Sequence, residues 1–241
     1  MIVGAGGLGC PVALSLVEAG VTIRLVDDDR VELSNLQRQV LYRTDDVGRP
    51  KVEAASERLR ELVPGAIIET GMARLGPENA DAVLGGARLI VDATDDPSAR
   101  FLISDWALAT GVPAVIGGVH RFGGLVMAIA PGAACFRCLF EEDQAGTAPS
   151  CAQVGVLGPL PGLVGHLQAE RALAILQGAP DATGYVTTLD ALARPPRPMM
   201  RRVDVPRDPD CPACGERADR ASAPRPAPDL LSIRAQEPSP W

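Results

Sequence analysis

At 241 residues the chain is long enough for one large α/β domain or two small ones, and a hydrophobic content of 46% argues against global disorder. A formal net charge of −7 and only 3% aromatic residues speak against a nucleic-acid binder, which needs a basic face or rings for stacking. No stretch reaches the roughly 18 uninterrupted apolar residues of a membrane helix, and no basic n-region marks a signal peptide. The chain therefore reads as cytoplasmic, where six cysteines suggest metal binding or catalysis before disulfides.

The chain opens on an apolar strand that runs straight into Gly4-x-Gly6-x-x-Gly9, and an apolar-periodic helix at about 8–19 follows at once. Glycine lets the backbone turn tightly and approach a phosphate without a Cβ in the way. The helix that starts there aims unpaired N–H groups and its positive dipole end into the loop. Gly4, Gly6, Gly7 and Gly9 thus read as a phosphate cradle, which alone would suit NAD, FAD or ATP. Residues 21–26 read as a buried parallel strand ending in Asp27, the opening of a doubly wound sheet.

From Asp28 to Gln39 the chain is polar where a standard dinucleotide unit would move to its next helix. That helix comes at 50–63, with Pro50 in its first turn and Val52, Ala55, Leu59 and Leu62 on one face. Strands at about 66–69, 88–92 and 114–117 alternate with helices at about 78–84 and 99–110. Residues 123–130 form a strand with no crossover helix before it, hence antiparallel to its neighbour. A helix at 162–176 is apolar nearly all round in its second half, which implies full burial or a subunit interface. Strands at 185–189 and 199–205 follow. The expected fold is α/β, a doubly wound Rossmann-like and mostly parallel sheet continued by antiparallel strands. It would form a single domain over 1–215, with a nucleotide-binding half at about 1–118 and a second half at 119–215. The Pro/Ala/Arg/Ser-rich residues 216–241 read as a disordered tail.

Cys135/Cys138 and Cys211/Cys214 each place two thiolates on one tight knuckle, as a tetrahedral structural Zn²⁺ site requires. The metal would clip the end of the fold back onto its middle. Arg38 and Lys51 are candidate phosphate ligands at the carboxyl ends of the strands. Asp27 is placed to accept from ribose hydroxyls. Asp95 ends another strand beside the same crevice and could hold Mg²⁺ on phosphates; alternatively it caps a helix, a role open equally to Asp96 or Ser98. Cys151 is the odd thiol, either a nucleophile for an activated acyl or sulfur group or an inert side chain. Cys10, His120 and His166 read as structural.

The runs Gly4-Ala5-Gly6-Gly7-Leu8-Gly9-Cys10, Leu33-Ser34-Asn35-Leu36-Gln37-Arg38-Gln39, Gly48-Arg49-Pro50-Lys51 and Ala93-Thr94-Asp95-Asp96 resemble the ThiF/MoeB/HesA family, as do both C-x-x-C pairs and the Cys151 stretch. The resemblance covers about 1–215. It implies adenylation, with Mg-ATP, of the C-terminal Gly-Gly carboxylate of a small ubiquitin-fold sulfur carrier of molybdopterin or thiamine type, releasing pyrophosphate. On this pattern Asp27 holds the ribose, Asn35, Arg38 and Lys51 the phosphates, and Asp95 the Mg²⁺. The four paired cysteines hold structural Zn²⁺, 119–215 binds the carrier, and Cys151 matches the thiol that one branch links to it. The resemblance also implies a homodimer and an N-terminal helical segment that lends an arginine to the partner's site, whereas this sequence opens on the first strand. Without a rhodanese domain after the zinc pair, sulfur would come from a separate donor. The competing readings are a non-catalytic zinc-stabilised scaffold, adenylation of a tRNA or peptide, and an NAD-dependent oxidoreductase.

Overall fold

The computed structural model describes residues 1–140, 155–179, 181–195, 197 and 199–216. The expectations for Cys151 and for the tail from residue 217 onward lie outside them.

In chain order the elements are β1 (Ile2–Val3), α1 (Gly9–Glu18), β2 (Ile23–Val26), α2 (Lys51–Leu62), β3 (Ile68–Gly71), α3 (Ala80–Leu84), β4 (Ile90–Asp92), α4 (Pro97–Thr110), β5 (Ala114–His120), β6 (Gly123–Ile129), α5 (Pro159–Leu176), β7 (Tyr185–Asp190) and β8 (Met200–Asp204). They build one eight-stranded sheet in the order β3-β2-β1-β4-β5-β6-β7-β8. The first five strands are parallel, with Ile2 opposite both Leu25 and Val91. From β5 onward the pairing is antiparallel, beginning with Ala114 opposite Ile129.

Burial explains the division. β1, β4 and all of β2 but Arg24 are buried, and apart from Arg24 and the closing Asp92 they are apolar, the signature of a parallel sheet covered by helices. On one face Leu8, Val12 and Leu16 pack with Leu59 of α2 and Val164 and Ala172 of α5. On the other, Leu84 of α3 and Phe101 and Ile103 of α4 pack with Phe136, Cys135, Cys211 and Cys214. Strand order reverses between β1 and β4, and an open α/β sheet presents its ligand crevice at the carboxyl ends of such a pair.

Two helices begin earlier than the sequence pattern suggests. α4 begins at Pro97 because Asp96 is its N-cap, accepting from Ser98 N–H at 2.9 Å with proline in the first turn. α5 begins at Pro159 and lies against α1, β5 and β6. Leu173 and Ile175 of its apolar second half pack on the chain's own core, while Leu176 at its end is exposed.

Candidate functional site

The glycine loop follows from close backbone approaches. Gly4 sits at φ +98°, and a Cβ there would lie 2.6 Å from the Ala93 carbonyl oxygen of the neighbouring strand end. A Cβ on Gly9 would overlap the Gly4 carbonyl. Only glycine satisfies both positions, so β1 can turn directly into α1. Asp27 ties the turn down: Oδ2 accepts from Ala5 N–H at 2.6 Å and Oδ1 from Asp29 N–H at 2.7 Å. From the other side the Tyr42 hydroxyl donates to the Ala5 carbonyl at 2.6 Å. No side chain caps α1, and among the described residues no hydrogen bond engages the N–H groups of Gly6, Gly7 or Leu8. The loop is therefore a set of fixed donors facing a cleft, the arrangement that binds anions at helix starts.

That cleft has a volume of about 370 Å³ and lies across the switch point. Gly4, Gly6 and Gly7, Asp27, Asn35, Arg38, Lys51 and Asp95 all line it, so the structure gathers the sequence-derived candidates into one place; Gly9 stands behind them as the first residue of α1. Asp27 is largely buried, and burial raises its pKa while Lys51 and the two N–H donors pull it back. A carboxylate has about four acceptor sites, so two remain for a ligand. Lys51 Nζ lies 2.7 Å from Asp29 Oδ2, with its stem buried under the cleft floor. Asn35 also lines the cleft. Its Oδ1 accepts from Arg38 Nη2 at 2.8 Å and its Nδ2 donates to Glu32 at 3.2 Å, so it aims the arginine.

Opposite the glycine loop, β4 ends in a tightly held turn. Asp92 is fully buried and accepts from Thr94 N–H at 3.0 Å and Thr94 Oγ1 at 2.7 Å. Arg100 of α4 donates to the Thr94 carbonyl at 3.1 Å and lies 3.6 Å from Asp92 Oδ2. With Asp96 serving as the helix cap, Asp95 is left over: among the described residues no hydrogen bond or ion pair engages its carboxylate. A free carboxylate across a crevice from free backbone donors fits Mg²⁺ on a polyphosphate, since Mg²⁺ takes one or two carboxylates plus phosphate oxygens. The sequence alone marks Asp29, Asp92 and Arg100 only as charged residues at or near a strand or helix end.

On the α4 face, outside the lining of the cleft, the four sulfurs of Cys135, Cys138, Cys211 and Cys214 lie within 4.8 Å of one another. The separations are 3.9 Å for Cys135–Cys138, 3.6 Å for Cys135–Cys211 and 3.4 Å for Cys138–Cys214. A disulfide needs about 2.05 Å. Four thiolates tetrahedral at about 2.3 Å from one Zn²⁺ would stand roughly 3.8 Å apart, so the cluster fits that ion. Cys10 is core, with its thiol pushed up to about 12 by burial. His166 Nδ1 lies 2.8 Å from Ser15 Oγ, consistent with a structural role.

A doubly wound sheet whose glycine loop faces a charged cleft at its switch point defines a Rossmann-like α/β protein of nucleotide-binding type. The ThiF family model matches residues 1–213, and the chain belongs to that family. It is 42% identical over 219 residues to the SAMP-activating enzyme E1 of Haloferax volcanii, covering 90% of this chain and 80% of that one. It is 43% identical over 225 residues to the sulfur carrier protein adenylyltransferase of Thermus thermophilus, covering 90% and 82%. The adenylyltransferase and sulfurtransferase uba4 of Aspergillus niger is 40% identical, and the chain spans about half of it, 48%. Among solved structures, E. coli MccB with ATP shares the fold, with a TM-score of 0.74 at 20% identity over 88% of this chain and 65% of that one.

Proposed function

We propose that this chain is an ATP-dependent adenylyltransferase that activates the C-terminal Gly-Gly carboxylate of a small ubiquitin-fold sulfur carrier. The observation that carries the reading is that the glycine-loop donors and the Asp95 carboxylate, unengaged among the described residues, line one cleft together with Arg38 and Lys51. Two relatives above 40% identity, one named for activating SAMP and one for adenylylating a sulfur carrier, support a protein carboxylate as the substrate. They also favour ATP over NAD as the tenant of the loop.

The chemistry suits these residues. The carrier carboxylate is ionised at neutral pH and attacks the α-phosphorus of ATP. The α–β phosphoanhydride bond breaks, pyrophosphate leaves, and an acyl adenylate remains. No general base is needed, which agrees with a cleft free of histidine among its lining residues. The protein's contribution is in-line placement and neutralisation of phosphate charge. The glycine-loop N–H groups and the start of α1 bind phosphate oxygens, Arg38 is aimed by Asn35, and Lys51 supplies a mobile point charge. Asp27 accepts from the ribose. Asp95 would hold Mg²⁺, which when bound offsets charge on the polyphosphate. The four cysteines would hold a structural Zn²⁺ with no open position. A homodimer, a separate sulfur donor, and a carrier of the molybdopterin or thiamine type complete the reading.

The test is ATP–pyrophosphate exchange with carriers ending in Gly-Gly. Carrier-dependent exchange supports the proposal. Absence of exchange with every carrier, while ATP still binds, would turn the reading to a non-catalytic partner.

A further inference from the structure

Gln168, in the middle of α5, is a fully buried polar side chain. Its Nε2 donates to the Asp92 carbonyl at 2.6 Å and lies 3.5 Å from the Val115 carbonyl, so one amide bridges the ends of β4 and β5. Space for it exists only because β5 has no side chain at Gly117; a Cβ there would overlap the Gln168 amide. Its Oε1 has no hydrogen-bond partner among the described residues. A buried amide with an unmatched oxygen costs free energy that an apolar residue would avoid. Ordinary core packing does not account for it.

Its position suggests what it does. Asp92 is the last residue of β4, three before Asp95, and its carboxylate already organises Thr94. Gly4 and Arg100 confine the same turn from two other sides. Gln168 supplies the remaining contact, from beneath. Two turns before Gln168 on the same helix, Pro161 lines the cleft, and a Cβ on Gly7 would lie 3.1 Å from its Cβ. α5 thus touches the glycine loop with one turn and the floor of the Asp95 turn with another.

We propose that Gln168 is a positioning residue: its amide fixes the Asp95 turn against helix α5, so that the carboxylate and the glycine loop keep a set spacing across the cleft. The assignment deepens the adenylation reading and rests on Asp95 serving the metal–nucleotide complex.

Two variants reach this contact from opposite sides. Gln168→Met keeps the length and removes the donor; Gly117→Ala keeps the glutamine and displaces it. The first readout is amide hydrogen exchange in the ligand-free protein. Ala93 and Thr94, bonded to Val3 O and Asp92 Oδ1, should exchange about fivefold faster or more, with the β2–β3 amides unchanged. The second is metal dependence. The Mg²⁺ concentration for half-maximal exchange activity should rise about fivefold or more, while ATP affinity in EDTA changes by less than about twofold. Unchanged protection at Ala93 and Thr94 in both variants would overturn the proposal. So would a uniform loss of protection with an unaltered Mg²⁺ requirement, which marks a merely structural residue. If Gln168→Met does not fold, Gly117→Ala decides alone. If the wild type shows no exchange activity with any carrier, the adenylation reading fails, and the hydrogen-exchange comparison still decides whether Gln168 fixes the turn.

Discussion

Lys51 and Asp29 form an ion pair, 2.7 Å between Nζ and Oδ2, in which the lysine is buried and the aspartate side chain is 66% exposed. The lysine proposed for the phosphates is therefore already engaged, and a nucleotide has to compete with Asp29 for it. A partly exposed pair of this kind contributes up to about 1 kcal/mol. Asp29→Asn should accordingly tighten metal-free ATP binding, by up to about fivefold, whereas Lys51→Ala should weaken it by more than that. Calorimetric titration of both variants checks the pair. Weaker binding by Asp29→Asn would mean that Asp29 orients the lysine rather than competing for it.

Asp95 and Cys151 should separate two chemical roles. Adenylation needs phosphate charge neutralised but no protein nucleophile, so Asp95→Ala should lower ATP–pyrophosphate exchange by at least about a hundredfold, the scale on which single electrostatic groups act. Cys151→Ala should leave exchange within about twofold, because a thiol is called on only after the acyl adenylate has formed. Loss of exchange in the cysteine variant would place the thiol in the first step.

Much of this was legible in the sequence where one residue type had a single physical use. The glycine spacing announced β1–loop–α1, because Gly4 and Gly9 stand where any Cβ would meet backbone. The two C-x-x-C pairs predicted four sulfurs that meet across 76 residues. The cap of α4 was legible only as a choice among Asp95, Asp96 and Ser98. The structure gives the cap to Asp96, with Pro97 in the first helical position, and among the described residues nothing engages the Asp95 carboxylate. The partners were not legible. Nothing local tells Lys51 to meet Asp29, or Gln168 to reach a carbonyl 76 positions away, since those contacts depend on strand order and helix placement. Strand ends also shifted: β3 runs to Gly71 because its register with β2 pairs Val26 with that residue.

The cysteine cluster should contain about one zinc per chain by elemental analysis. It joins the segment at Cys135–Cys138 to that at Cys211–Cys214 and packs against Phe101 and Phe136 on the face opposite α1. Chelation, or Cys214→Ser, should therefore lower the melting temperature by several degrees, as loss of a structural metal does. ATP affinity measured well below the melting transition should hold within about twofold, because none of the four paired cysteines lines the cleft. A metal-free protein of undiminished stability would refute the assignment.

Asp92 should make stability depend on pH in an unusual direction. Burial raises its carboxyl to about 6, against the pull of Arg100 and of two bonds from Thr94; Asp96 nearby adds to the rise. A carboxyl raised above its unfolded value of about 3.9 binds its proton more tightly in the folded state. Its contribution is therefore fully present below about pH 4 and lost as pH climbs through 6, amounting to as much as about 3 kcal/mol. Other carboxylates titrate in the same range, so the informative quantity is the difference between the wild type and Asp92→Asn, which keeps an acceptor for Thr94 but cannot ionise. In urea unfolding from pH 4.5 to 7.5 the wild type should lose stability relative to the variant as pH rises. If it gains instead, the 3.6 Å approach of Arg100 outweighs burial, and Asp92 is a stabilising ionised partner at neutral pH.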